Sequence, residues 1–307
     1  MVLAPTELPA EIVTTGATPL LPDRESFASV LLRHPLVQAG LAIIAVLLLV
    51  ACFAPFISHV DPQQSLPKGL SDLGEPHRPG GGFLLGADTL GRDVWTRTLY
   101  GTRISLLVGV CAMFTAVVIG TTIGLMSGYF GGWVDILLSR VVETVMSLPT
   151  ILLAIALFVV LPGEGFYPRL LKLLIAISLV TWTGIARAVR GQVMSLKEQE
   201  FIESARAIGC SPARILFVHL LPNVLPTVIV LATLATANTI LLEAGLSYLG
   251  LGADPSAASW GGMISEGQPY MLSAPWIIIP PGIAVVLAVA GFNLLGQGLQ
   301  EVLEPRP

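Results

Sequence analysis

Read as a bare string of residues, this chain is an all-α membrane protein that should carry six transmembrane helices. Of its 307 residues, 54% are apolar or aromatic and only 12% are charged. A soluble domain holds about 25% charged residues, so too little charge is present to cover a water-facing surface. The charge is also bunched. Uncharged runs lie at 34–60, 104–134, 144–163, 173–186, 215–242 and 267–300, with 27, 31, 20, 14, 28 and 34 residues. About 20 apolar residues cross the hydrocarbon layer as a helix, so five of the six runs are long enough alone. The fourth reaches 19 residues if taken from Leu170 to Ala188. Lys172 and Arg187 then fall near its ends, where long cationic side chains reach the headgroups. A transmembrane β-barrel would instead alternate in apolarity over about ten residues per strand.

The same figures exclude other classes. A net charge of −4 without a Lys/Arg block argues against nucleic acid as a partner. Cys52, Cys111 and Cys210 are odd in number and lack CxxC spacing, so they read as small apolar fillers, not a disulfide framework or metal site. No phosphate loop, zinc helix or nucleophile elbow occurs, and His34, His59, His77 and His219 are scattered. No catalytic residue, cofactor ligand or metal ligand is assigned in this chain.

Taken in order, residues 1–30 hold Pro5, Pro9, Pro19 and Pro22 and no basic residue before Arg24, which reads as an unstructured tail and not a signal peptide. Residues 31–60 form the first transmembrane helix. Residues 61–102 form the largest extramembrane loop, rich in turn formers such as Asp61-Pro62 and Gly80-Gly81-Gly82. Within it, Asp88, Arg92, Asp93 and Arg97 read as a short interfacial helix, with acid-first pairs four residues apart. Residues 103–305 hold the other five spans. Gly120, Gly124 and Gly128 form a GxxxGxxxG ridge that allows close helix approach, chiefly inside the chain.

Orientation rests on the basic residues. Loop 187–214 holds five Lys or Arg, whereas loop 244–274 holds none. The positive-inside rule therefore puts loop 187–214 and both termini in the cytoplasm. Glu143 and Glu243 border or interrupt apolar runs. A centred charge is costly there, so each should face the bundle interior, water, a vestibule or an interface.

The polar segment 195–222, SLKEQEFIESARAIGCSPARILFVHLLP, carries the local signals. A helix is expected over Leu196–Ile208, with Phe201, Ala205 and Ile208 on one face. Gly209 supplies a C-terminal turn residue, and Ser211-Pro212 reads as an N-cap followed by proline at the first helical position. The result is a helical hairpin running into the fifth span. It is suited either to a groove on another protein or to a headgroup surface.

Glu203-Ser204-Ala205, Gly209 and Leu221-Pro222 resemble the EAA signature of bacterial ABC importer permeases, E-A-A-x3-G-x9-I-x-L-P. Ser204 stands in place of the first alanine, and His219 in place of isoleucine. The stretches LGADTLGRDVWTRTLYGTRISLLVG, GYFGGWVD, EAGLSYLGLG, SWGGMI and APWIIIPPGIAVVLAVAGFNLLGQGL extend the likeness over about residues 31–305. Together they are similar to the C-type permease subunit of dipeptide, oligopeptide and nickel importers, a binding-protein-dependent transport system inner membrane component.

That resemblance implies an ABC type I importer permease fold in the bacterial inner membrane. The implied partners are a homologous B-type permease, two ATP-binding subunits that hold ATP and Mg2+, an extracytoplasmic substrate-binding protein and membrane lipid. Glu200, Phe201, Glu203, Ser204, Ala205, Gly209, Leu221 and Pro222 would form the ATPase-coupling segment. Asp88, Arg92 and Asp93 would be free to meet the binding protein or partner permease. The cargo is a di- or oligopeptide; nickel or another small solute is the alternative. A self-sufficient channel or secondary transporter should show paired intramembrane charges or inverted halves, which the sequence lacks.

Overall fold

The computed structural model describes residues 31–254 and 257–303. The expected tail over 1–30 lies outside the described residues. Nine α-helices of eight residues or more organise the rest: α1 Pro35–Ile57, α2 Val94–Phe130, α3 Gly132–Met146, α4 Thr150–Val160, α5 Phe166–Leu196, α6 Glu200–Ala207, α7 Leu221–Tyr248, α8 Trp260–Gly267 and α9 Ile279–Leu303. A π-helical turn, Ile215–Leu220, leads into α7. Among the described residues, β structure is confined to three isolated bridges in the loop before α2.

Five helical segments are long and apolar enough to cross a membrane, and the bent pair α3 and α4 makes a sixth crossing if its two arms form one span. The arms meet at 96°. This corrects the expectation of one unbroken span over 144–163. Pro149 lacks an N–H and its ring disfavours helical geometry at Leu148, so the helix stops at Met146 and restarts at Thr150. At 11 residues, α4 alone is only about 16 Å long, half the hydrocarbon thickness. The fourth expected span is instead longer than read, 31 residues from Phe166. Lys172 does not reach for headgroups: it is buried, with Nζ 5.4 Å from the Phe158 ring centroid and 3.9 Å from Glu164.

The core is built around α2, which packs against α1, α3, α5, α7, α8 and α9. Its closest neighbour is α5. A Cβ at Gly120 would stand 2.6 Å from the Trp182 carbonyl oxygen, one at Gly124 2.6 Å from that of Ala186, and one at Gly128 2.8 Å from Val193 Cβ. The glycine ridge therefore faces α5 within the chain, as the intramolecular reading expected. Lipid tails are as apolar as leucine, so close van der Waals contact has to hold these helices together.

The chain alternates sides as it crosses. Ser58 and Thr96 hydroxyls meet at 2.6 Å, joining the end of α1 to the start of α2. At the other end, His34 Nε2 lies 3.1 Å from Glu301 Oε2, so the start of α1 and the end of α9 share a side.

Replacing Gly124 by valine should force α2 away from α5. The expected cost is about 1–3 kcal/mol from overpacking, read as a lower thermal unfolding midpoint of the purified protein in detergent. An unchanged midpoint would contradict the packing described.

Candidate functional site

Two polar constellations stand at opposite ends of the bundle. The first is the hairpin of α6, Gly209 and the π turn. The helix begins at Glu200, not Leu196, because α5 runs to Leu196 and a turn over 197–199 separates the two. Ile208 caps α6, and Gly209 takes φ +81° with nothing within 4 Å of a Cβ position. Only the backbone conformation demands glycine there, because a side chain would have room. The turn closes with Gly209 N donating to Arg206 O at 3.0 Å and Cys210 N to Ala205 O at 3.0 Å. Ser211 then caps the next helical turn, its hydroxyl accepting from Arg214 N, with Pro212 at the first position.

The buried face of α6 differs from the one expected. Ile202 and Ala205 turn inward, while Phe201 and Ile208 are exposed, the latter by 81%. Since α6 starts later and ends at Ala207, Ile208 falls in the turn and leaves the helical face. Ile202, Ala205, Ile215, Leu216 and Leu220 join one apolar core with Leu125 of α2 and Ile185, Val189 and Val193 of α5. The hairpin is thus packed into the spanning bundle by its inner face. Its outer face presents Glu200, Phe201, Glu203 and Ser204 to solvent, and Gly209 and Pro222 are exposed as well. Ser204 in the alanine position therefore alters no internal packing.

Leu221, half-buried, donates its N–H to Leu216 O across the π turn. Pro222 in a regular helix would collide with the carbonyl of Val218, and the π turn widens the backbone where that contact would fall. Asn223 Nδ2 donates to the His219 carbonyl at 2.6 Å, and Gln192 Nε2 of α5 donates to Asn223 O at 3.3 Å. Arg206 lies 5.5 Å from the Tyr129 ring centroid, linking α6 to the end of α2.

Beside the hairpin, Asp135 of α3 accepts two bonds from Arg190 of α5, at 2.5 and 2.7 Å. It also accepts from Ser127 of α2 at 2.5 Å and Ser139 at 3.1 Å. Three helices are joined there. Sequence reasoning missed this pair, although Asp135 borders the uncharged run 104–134 and Arg190 lies three residues beyond Arg187, which ends the run 173–186. Glu143 lies nearby but exposed, 3.0 Å from Arg140 in an i, i+3 pair.

The second constellation lies at the other end. The expected short helix over Asp88–Arg97 is not formed: Asp88 and Arg92 sit in a turn, and α2 starts only at Val94. Asp93 does not pair with Arg97. It caps α2 by accepting from Thr96 N at 2.9 Å and Thr96 Oγ1 at 2.5 Å. Arg97 reaches Asp88 and Glu266 of α8 instead, and Arg92 Nε bonds Asp88 at 2.7 Å while its Nη2 bonds Glu266 at 2.6 Å. Asp88 and Arg92 do form the expected pair four residues apart, but in a turn, and with Arg97 they are buried within the chain and do not lie on its surface. Glu266, separated from Arg92 by 174 positions, was not legible as a partner.

For Glu243 the structure gives the first of the expected surroundings, the bundle interior. It is fully buried in α7, accepting from Ser247 Oγ at 2.7 Å. α8 packs on the same stretch of α7, so close that a Cβ on Gly261 would stand 2.1 Å from the Ala244 carbonyl oxygen.

A multi-span helical bundle that seats a polar hairpin at one end has the form of a membrane permease subunit. Residues 120–307 match the binding-protein-dependent transport system inner membrane components, and residues 26–72 match the N-terminal TM domain of oligopeptide transport permease C. The chain belongs to the family of binding-protein-dependent transport system inner membrane components. It is 40% identical to the dipeptide transport system permease protein DppC of Alkalihalophilus pseudofirmus, over 94% of this chain and 91% of that one. Against the oligopeptide transport system permease protein OppC of Bacillus subtilis, identity is 37% over 89% and 86%. Against the glutathione transport system permease protein GsiD of Pectobacterium atrosepticum, it is 36% over 93% and 91%. An inward-facing structure of the MetNI methionine ABC transporter shares the fold, with a TM-score of 0.54 and 21% identity over 68% of this chain and 97% of that one. The protein is accordingly a non-catalytic, membrane-embedded permease subunit of an ABC importer.

Replacing Asp88 by alanine should leave two buried arginines with Glu266 alone. Removing one partner of a buried pair costs about 3–5 kcal/mol. The expected readout is a lower unfolding midpoint together with faster tryptic cleavage at Lys68 or Arg78 in the loop between α1 and α2; wild-type resistance and midpoint would contradict a load-carrying cluster.

Proposed function

We propose that this permease imports di- or oligopeptides, and that the hairpin is the joint through which ATP-binding subunits drive it. In this reading a homologous permease completes the pathway, two partner subunits hold ATP and Mg2+, and an extracytoplasmic binding protein delivers the peptide. Loop 187–214 and both termini face the cytoplasm, with residues 61–93 and α8 outside. The basic residues of loop 187–214 support that orientation. The peptide assignment is supported by relatives named as dipeptide and oligopeptide permeases.

The observation that carries the coupling role is that the hairpin's inner face is part of the spanning core while its outer face is open. Glu200, Phe201, Glu203 and Ser204 would meet the ATPase. Ala205, Leu221 and Pro222 would carry its displacement into α7. Reversing an access equilibrium from 1:99 to 99:1 takes about 5.5 kcal/mol of differential binding. A hairpin that slid on its support would dissipate that difference, and a packed one transmits it.

Gly209 separates backbone geometry from bulk. Valine at 209 disfavours positive φ, whereas asparagine tolerates it. In proteoliposomes containing the whole transporter, Gly209→Val should lower peptide uptake per ATP hydrolysed at least tenfold, and Gly209→Asn should stay within about threefold of wild type. Normal coupling in the valine variant would overturn the proposed joint.

A further inference from the structure

We infer that the cleft between the end of α4 and the start of α5, at the end of the bundle opposite the hairpin, binds an anionic phospholipid, with its phosphate at Lys172 and an acyl chain along α5. The cleft has a volume of about 460 Å³. Leu161 and Pro162, which follow α4, form one wall. Pro168, Leu171, Lys172 and Ile175 form the other, and spacings of three and four residues put them on one face of α5. Leu179, four residues further on and exposed, continues that face toward the middle of the span. The helix α4 packs chiefly on α5 and leaves Val159 and Val160 exposed where the cleft begins.

The depth fits a headgroup. Lys172 lies 18 positions before Arg190 on the same helix, about 27 Å at 1.5 Å per residue. The hydrocarbon layer is about 30 Å thick. With the Asp135–Arg190 pair at one boundary of that layer, Lys172 stands at the other, where acyl chains give way to glycerol and phosphate. Tyr167, which also lines the cleft and is exposed, is a residue type that favours this level.

The chemistry fits as well. The Lys172 side chain is almost wholly enclosed, yet its ammonium makes no hydrogen bond among the described residues. It lies 5.4 Å from the Phe158 ring centroid and 3.9 Å from Glu164, too far for a hydrogen bond. Glu164 is 82% exposed and shared with Arg169 at 3.7 Å, so it is a solvated counter-ion and not a fixed acceptor. Arg169 is committed elsewhere, to the Gly250 and Gly252 carbonyls at 2.9 and 3.3 Å. An ammonium carries three donors, and enclosing it in apolar surface is costly until an acceptor meets them. A phosphate oxygen supplies an acceptor of opposite charge. A lipid brings that phosphate together with a chain for the apolar wall. A zwitterionic headgroup carries its own cation, so an anionic one is favoured.

The test uses the whole transporter in nanodiscs containing phosphatidylglycerol or phosphatidylcholine with a diazirine in one acyl chain. After irradiation, labelled peptides are read by mass spectrometry, and label on 161–179 is divided by label on the other spans, so that changes of yield or assembly cancel. Phosphatidylglycerol is expected to label 161–179 about tenfold more than phosphatidylcholine, the scale of one charge-assisted contact. Lys172→Met should abolish that preference, Lys172→Arg should retain it, and Glu164→Gln should raise it by removing the competing acid. Equal labelling by the two lipids in the wild type, or a preference that survives Lys172→Met, overturns the site. If Lys172→Met does not assemble, Glu164→Gln decides, and an unchanged ratio there overturns the site. An unlabelled 161–179 in the wild-type complex also overturns it and gives the cleft to the partner permease.

Discussion

The contact between α2 and α5 is the constraint on which the rest of this permease depends. Three glycines a turn apart bring the two backbones so near that a single Cβ would strike a carbonyl oxygen or a β-branched side chain of α5. In water such a seam could be replaced by any well-filled apolar interface. In lipid, burial of apolar surface offers no advantage, and only close, shape-matched contact favours one helix pair over its separation. The seam fixes where Val189 and Val193 stand. Those residues make the floor onto which Ile202, Ala205, Ile215 and Leu216 of the hairpin pack.

The hairpin therefore inherits its rigidity from the membrane-spanning body. Its own eight-residue helix is too short to be stable alone. What holds it is the shared apolar core, the Arg206–Tyr129 contact, and the Gln192–Asn223 bond across to α7. Asp135 and Arg190 add a charged staple at the same level, tying α2, α3 and α5 together where the chain leaves the bundle. At the far end, Asp88, Arg92, Arg97 and Glu266 do the corresponding work for the loop between α1 and α2 and for α8. The sparse charge of the chain is concentrated at the two ends of an apolar body.

Much of this was legible in the sequence. Uncharged run lengths gave the crossings, the glycine spacing gave the ridge, and Gly209 with Ser211-Pro212 gave the hairpin, because each is a local pattern with a local physical cause. The break at Pro149 was also local, but run length alone is blind to it, since Ser147-Leu148-Pro149 is uncharged. Glu266, Asp135 and Arg190 were missed for another reason: their partners lie on other helices, and spacing along the chain carries no record of which helices touch. The i, i+4 rule misassigned Asp93 and Arg97 because α2 begins between them, turning Asp93 into a cap and freeing Arg97 for distant acids. Glu243 was legible as a group needing the bundle interior or an interface, but nothing in its run says that α8 packs alongside that stretch of α7.

The central claim is that the hairpin and the α2–α5 seam move as one body. It is tested most directly by spin labels at the exposed positions Ile208 and Met126, in a chain whose Cys52, Cys111 and Cys210 have been replaced. Pulsed electron–electron resonance on the assembled transporter would then measure their separation without nucleotide and with trapped ATP. A rigid body predicts the same narrow distance distribution in both states. A shift or broadening on ATP binding would show the hairpin moving against its own spans, and would contradict the account.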